Sequence, residues 1–221
     1  MTVSDAVANR RSVRQFIDRP VPLETLRRVL EKAQMAPSGC NFQPWEATVL
    51  TGQPLRRLGE AIRASEVQSP EEYAVVPRDM PDLYRQRLFE IGEARFAALG
   101  IARDDKPARH ANMARNYSFF DAPVVLLCHI PRVMGPPQWS DVGMWLQSIM
   151  LLLREEGLDS CPQESLSYYG RLIKQHIGVD DETHILFCGL AIGYRDADDP
   201  ANTFQRPRAP IDEVIRFDGF A

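Results

Sequence analysis

Val124-Val125-Leu126-Leu127-Cys128 (VVLLC) is an unbroken apolar run entered through Ala122-Pro123. So short a run, opened by β-branched residues behind a proline, reads as a strand buried on both faces. Downstream, Trp139 to Glu156 has the length of a helix and ends at Gly157, the residue type that best closes one. Its apolar residues (Val142, Met144, Trp145, Leu146, Ile149, Met150 and Leu151 to Leu153) nearly encircle the axis. Such a helix lies either at the centre of a domain or in a subunit interface. A shorter helix, Tyr168 to Ile177, precedes a second strand at His184 to Tyr194 (HILFCGLAIGY). Upstream, Leu23, Leu26, Val29, Leu30 and Ala33 share one helical face between Pro22 and Pro37. A short strand is expected over Ala47 to Leu50 and an amphipathic helix over Gln53 to Val67. Helices and short strands are mixed without regular strand–helix–strand alternation, which predicts an α+β layer fold rather than a doubly wound one.

The chain has 221 residues, enough for one large domain or two small ones. Its hydrophobic content of 44% and formal charge of −4 are ordinary for a globular protein. That charge argues against a general binder of nucleic acid or of anionic membranes. The opening MTVSDAVANRR has no apolar run of signal-peptide length, and Trp145 to Leu153 is too short to span a bilayer. A cytoplasmic protein is expected. Cys40, Cys128, Cys161 and Cys188 lie far apart, and His110, His129, His176 and His184 show no ligand spacing. Neither a disulfide framework nor a metal site is indicated. From Gln68 to Asn116 the chain is polar, with prolines at 70, 77, 81 and 107 and a helix expected within Leu83 to Leu99. This stretch reads as an insertion or lid on a single domain spanning 1–221.

Asn9 to Phe16 (NRRSVRQF) packs Arg10, Arg11 and Arg14 around Ser12. Only three of the 26 basic residues are lysines, so neighbouring arginines are common here and a solvated helix end would account for them. The guanidinium fork, however, matches phosphate and carboxylate oxygens, and Ser12 adds a neutral donor at the centre. The segment is a candidate phosphate clamp. No Gly-rich phosphate loop and no GxSxG elbow is present. The side chains look better suited to holding a reactive cofactor than to attacking a substrate.

Four pieces occur in order: RRSVR at 10–14, PSGCNFQPW at 37–45, GLDSCPQES at 157–165, and CGLAIGY at 188–194 followed by NTFQRPR at 202–208. Together they resemble the nitroreductase family of FMN-dependent oxidoreductases, over nearly the whole chain except roughly 68–116. The resemblance implies a three-layer fold, with a central, mostly antiparallel sheet flanked by helices, in an intertwined homodimer. It implies that Arg10, Arg11, Ser12 and Arg14 clamp the FMN phosphate and ribityl chain, with Arg206 and Arg208 closing from the C-terminal side. Pro37, Ser38, Gly39 and Asn41 would lie beside the cofactor of the partner subunit. Pro162, Gln163 and Glu164 would lie over the flavin ring, with a backbone N–H near Glu164 reaching N5. Arg115 and Asn116 are candidates for the ribityl or uracil edge. Gln43 to Trp45 reads as loop structure, and Gly189 and Gly193 as close-packing positions in a strand.

The implied activity is hydride transfer from NADH or NADPH through flavin N5 to a nitroaromatic or quinone acceptor, by a ping-pong mechanism. The ring carries the chemistry, so no catalytic side chain is assigned. Relatives that dehalogenate reductively or break down flavin are the alternatives within the fold, and a non-enzymatic FMN-binding protein is the alternative outside enzymology. Tyr73, Tyr84, Phe89, Phe96, Arg85, Arg87 and Arg95 could give the insertion an aromatic, cationic inner face for an aromatic anion; solvated helix with ordinary core anchors is the plainer reading.

Overall fold

A computed structural model describes residues 1–204 and 206–220. Its elements run α1 (Val3–Asn9), α2 (Leu23–Ala33), β1 (Glu46–Thr51), α3 (Gly52–Arg63), α4 (Asp82–Ala98) and α5 (Lys106–Ala114). Then come β2 (Val124–Pro131), α6 (Pro136–Glu155), β3 (Asp159–Gln163), α7 (Gly170–Ile177), β4 (His184–Gly193), α8 (Pro200–Thr203) and α9 (Ile211–Val214). The strands form one sheet in the order β1-β2-β4-β3, every adjacent pair antiparallel.

The two faces of β2 explain its unbroken apolar run. Val124, Leu126, Cys128 and Ile130 pack with α2 and α6, whereas Val125 and Leu127 pack with α3 and α7 on the other side. Both faces are covered by helices, so hydrophobic alternation disappears in a sheet that is antiparallel throughout. The three layers are the ones the sequence leads one to expect.

Several boundaries differ from expectation. The helix after β1 stops at Arg63 rather than Val67, where the chain turns polar. The expected helix 168–177 is α-helical only from Gly170, because Glu164–Tyr169 winds as a 3₁₀ turn. Helix α6 starts at Pro136, with Gly135 N–H donating to Gln138 Oε1. Gly157 closes it with φ +72°, a left-handed conformation that glycine adopts without a Cβ penalty.

Helix α6 is not apolar against its own chain all round. Leu146 and Met150 sit in the core beside Trp145, whose ring stacks on Trp45 at 5.7 Å. Met144 is 41% exposed, and Gln147, Ser148 and Leu151 are only partly covered. The two glycines of β4 are packing positions, as read. A Cβ on Gly193 would lie 2.7 Å from the Pro123 ring, and one on Gly189 would collide with Leu166.

The polar stretch 68–116 is fastened at its start. Gln68 N–H donates to the Tyr168 carbonyl, and the Gln68 side chain accepts from Arg171 N–H. Glu72 enters the body and pairs with the fully buried Lys174. Tyr73 packs on Trp139 and Phe187 and donates to the Phe187 carbonyl, so it belongs to the core rather than to a lid's inner face. Tyr84, Leu88 and Phe89 on α4 are about half exposed, whereas Phe96 is buried.

Candidate functional site

Two buried anchors and two isolated bridges lay the arginine knot along the sheet. Val13 and Phe16 are buried, and Val13 N–H donates to the Ser160 carbonyl of β3 at 3.0 Å. Ile17 N–H donates to the Tyr194 carbonyl just beyond β4. The intervening side chains therefore project from an anchored backbone.

The C-terminal tail is locked onto the same segment by Asn202, 2% exposed. Its Oδ1 accepts from Arg14 N–H at 2.8 Å, and its Nδ2 donates to the carbonyls of Gln15 and Asp196. Its backbone carbonyl accepts from Arg11 Nη1 at 2.8 Å. The Ser12 carbonyl receives Arg206 Nη2 at 2.8 Å and, more weakly, Arg14 Nη1 at 3.4 Å. Segments almost two hundred residues apart thus meet at one carbonyl. Asn202 was missed as a site residue, although it begins the NTFQRPR piece; Gln205 of that piece lies outside the described residues.

Arg10, Arg11, Arg14, Arg206 and Arg208 make no ion pair with a carboxylate among the described residues. The nearby buried carboxylate, Asp159, is held instead by Arg154 at 2.7 Å and Arg195 at 3.4 Å. Burial and the neighbouring Arg14 and Arg11 push the Arg206 guanidinium down to about 10. Burial, then Arg208, lowers Arg10 in the same direction. A sixth guanidinium joins from α4. Arg95 is lowered by burial and by Arg14, its Nε is buried without a partner, and it stacks over Phe96 at 4.7 Å. Arg95 is therefore part of this positive field, not of an exposed inner face on the insertion. An anion bound among these guanidinium groups would relieve their mutual repulsion.

Gln163, at the end of β3, is 2% exposed. Its Nε2 donates to the Asn116 carbonyl at 2.8 Å, while its Oε1 is buried with no partner. An orphaned acceptor of this kind costs about 1–3 kcal/mol and fits a ligand carrying N–H or O–H donors. Asn116 thus braces Gln163, and its own Oδ1 accepts from Ser165 Oγ. Arg115 is committed to Gln15 and Asp121. Glu164 is exposed, and the turn it opens is held by Ser167 Oγ donating to the Glu164 carbonyl at 2.7 Å, not by its carboxylate. Pro162, Gln163 and Glu164 lie on the same edge strand and turn as Ser160, next to the clamp.

The loop carrying Pro37, Ser38, Gly39 and Asn41 is not brought to the clamp within the chain. It leads into β1, the opposite edge from β3, three strand spacings or about 14 Å away. Asp141 of α6 fixes it by accepting from Gly39 N–H at 3.2 Å, and Ser38 Oγ accepts from Gln43 N–H. Cys40, Asn41 and Gln43 hold φ of +49°, +58° and +49°, a strained run of non-glycine residues concentrated in an exposed loop. A cleft of about 570 Å³ lies between α3 and the 118–123 segment, but no clamp residue lines it.

The family model described as "Nitroreductase family" matches residues 7–194. The 4-nitrobenzoate reductase of Pseudomonas putida is 34% identical over 97% of this chain and 94% of its own length. The FMN and NADPH-dependent nitroreductase NfnB from sphigopyxis sp. strain HMH superposes with a TM-score of 0.96 at 50% identity, covering all of both chains. The FMN-dependent nitroreductase NfnB from Mycobacterium smegmatis, in complex with NADPH, does so with a TM-score of 0.90 at 31% identity, over 98% of this chain and 100% of that one.

Proposed function

Since the chain belongs to the nitroreductase family, we propose that it is an FMN-dependent oxidoreductase that reduces nitroaromatic compounds with NADPH or NADH. The observation that carries this reading is the cluster of mutually repelling guanidinium groups around the Ser12 carbonyl, half-buried except for the exposed Arg208, with no carboxylate paired to the five clamp arginines among the described residues. An FMN phosphate, near two negative charges, is the complement such a cluster requires. Arg10, Arg11, Arg14, Arg206 and Arg208 hold it, Ser12 adds its hydroxyl, and Arg95 adds charge from α4. Gln163 offers its unused carbonyl to the same ligand, and Pro162 to Glu164 support its ring. The chemistry supplied by bound FMN is hydride acceptance from the nicotinamide and two-electron delivery to a nitro group, which loses water as it becomes nitroso. No side chain of the chain is assigned a proton-transfer role. The named relatives are nitroreductases, which favours nitro reduction over dehalogenation or flavin breakdown.

The experiment is a steady-state one on the FMN-loaded protein. NADPH under anaerobic conditions should bleach the yellow colour and 4-nitrobenzoate should restore it, with parallel double-reciprocal lines as the nitroarene is varied. A protein that takes up no FMN, or whose colour survives NADPH and NADH alike, contradicts the reading.

The homodimer and the cover belong to the same proposal. Residues 1–221 act as one unit, with 68–116 as a fastened cover whose Arg95 reaches the clamp. The stranded loop 37–41 then serves the site of a second copy. The uncovered stripe on α6 (Met144, Gln147, Ser148, Leu151) and the exposed Val3 and Val7 of α1 supply the contact. Leu146 and Met150, on the helix that the sequence left between a domain centre and an interface, serve the core of their own chain. Met144→Glu is therefore the informative change: it should halve the sedimenting mass and lower flavin content together. A wild-type monomer with a full complement of FMN would overturn the dimer.

A further inference from the structure

Two of the histidines that show no ligand spacing in the sequence are brought together by the sheet, at the end away from the clamp. His129 stands on β2, opposite Glu46 of β1, and His184 opens β4. One ligand atom from each of the three residues lies within 4.8 Å of the other two. His129 Nδ1 is 3.6 Å and His184 Nε2 3.4 Å from the two oxygens of the Glu46 carboxylate. Zinc bonds of about 2.0–2.1 Å in tetrahedral geometry set neighbouring ligand atoms roughly 3.3–3.4 Å apart. The cluster needs only small side-chain adjustments to meet that spacing.

We propose that Glu46, His129 and His184 form a divalent-metal site of the zinc class, with water in the fourth position, tying β1, β2 and β4 together.

Three further features support it. The His129 side chain is 7% exposed, and its Nδ1 is buried with no hydrogen-bond partner, since 3.6 Å to Glu46 is too long. A buried imidazole nitrogen that faces a carboxylate without a hydrogen bond is open to a cation held between the two. Next, Thr183 Oγ1 lies 3.2 Å from the Asp180 carboxylate, the stronger acceptor for its single proton. Thr183 therefore accepts from His184 Nδ1–H at 2.9 Å, and the Nε2 lone pair is left facing Glu46. This is the tautomer a metal ligand needs, fixed by an outer hydrogen bond. Finally, the one ammonium nearby is already compensated. Lys174 Nζ pairs with Glu72 and Asp181 and donates to the His184 carbonyl, which steadies the ligand's backbone. Imidazole with carboxylate suits zinc better than magnesium or calcium, which prefer all-oxygen shells. The site is distinct from the clamp: eight residues of strand separate His184 from Ile192, the partner of Ser160, or about 26 Å.

The test uses the FMN-loaded protein stripped of metal by chelator. Titration with ZnCl2 should show one ion per chain and a rise in Tm. His184→Gln and Glu46→Gln, both at solvent-accessible positions, should weaken zinc binding by about tenfold or more and abolish most of that rise, with flavin content unchanged. Cobalt in place of zinc should give weak visible bands without the strong near-ultraviolet thiolate absorption that the exposed Cys40 would produce. No zinc uptake at about 100 times the protein concentration overturns the proposal. So does uptake that His184→Gln and Glu46→Gln leave unchanged.

Discussion

Replacing Lys174 with Met should destabilise the protein by about 3–5 kcal/mol, the usual cost of removing one partner from a buried ion pair. Lys174 is fully buried, and the Glu72 side chain paired with it is only 2% exposed. The ammonium also meets Asp181 at 2.6 Å and the His184 carbonyl at 2.8 Å. Without it, the Glu72 carboxylate keeps one backbone N–H, from Leu186 at 2.7 Å, and a loose Arg132 at 3.8 Å. That is too little to hold a desolvated charge. Adding Glu72→Gln to Lys174→Met should recover most of the loss, because the orphaned charge is then gone. The pair also leaves a signature in pH. Lys174 holds the Asp181 carboxyl below its ordinary 3.8, so that contribution is present above pH 3.8 and is lost as the pH falls below it. Urea unfolding at pH 7 and pH 3 measures both effects. A loss under about 1 kcal/mol at pH 7 would mean that water or Arg132 takes over the role of Lys174.

None of this network could be read from the chain. Glu72 and Lys174 are a hundred residues apart, and each looks like an exposed charge in a polar helix or loop. What was legible had a local cause. The apolar run of β2 follows from helices on both faces, and Gly157 from a left-handed helix end. Gly193 was legible because a strand glycine marks a close approach, here to the Pro123 ring. Strand β3 was missed because Asp159, Pro162 and Gln163 are poor strand formers. It exists because β4 pairs with it, because it is an edge where proline is tolerated, and because Arg154 and Arg195 neutralise Asp159. At the clamp, the arginines were readable as a type of chemistry. Asn202, which holds the two ends of the chain together, was not, since its bonds to Arg11, Arg14 and Gln15 reach residues that only the tertiary fold places beside it. The histidine pair shows the same limit: spacing in sequence says nothing about register across a sheet.

The central claim is that the arginines of both chain ends grip one phosphate, and differential flavin binding tests it most directly. The Arg10 side chain makes no hydrogen bond among the described residues, so its loss removes charge while the backbone bond to Ala6 stays; Arg206 is tied to the Ser12 carbonyl and reports on the junction itself. Hydrogen bonds to charged groups are worth about 1.5–3 kcal/mol each, so Arg10→Ala with Arg206→Ala should weaken FMN roughly a hundredfold to ten-thousandfold. Riboflavin presents the same ring and ribityl chain without the phosphate, and its affinity should change by no more than about threefold, well under 1 kcal/mol. Calorimetric titration of the wild-type and doubly substituted apoproteins with both flavins is the measurement. A large loss for FMN beside a near-constant riboflavin affinity is the result expected; equal losses for the two would show that these arginines shape the fold rather than seat the phosphate.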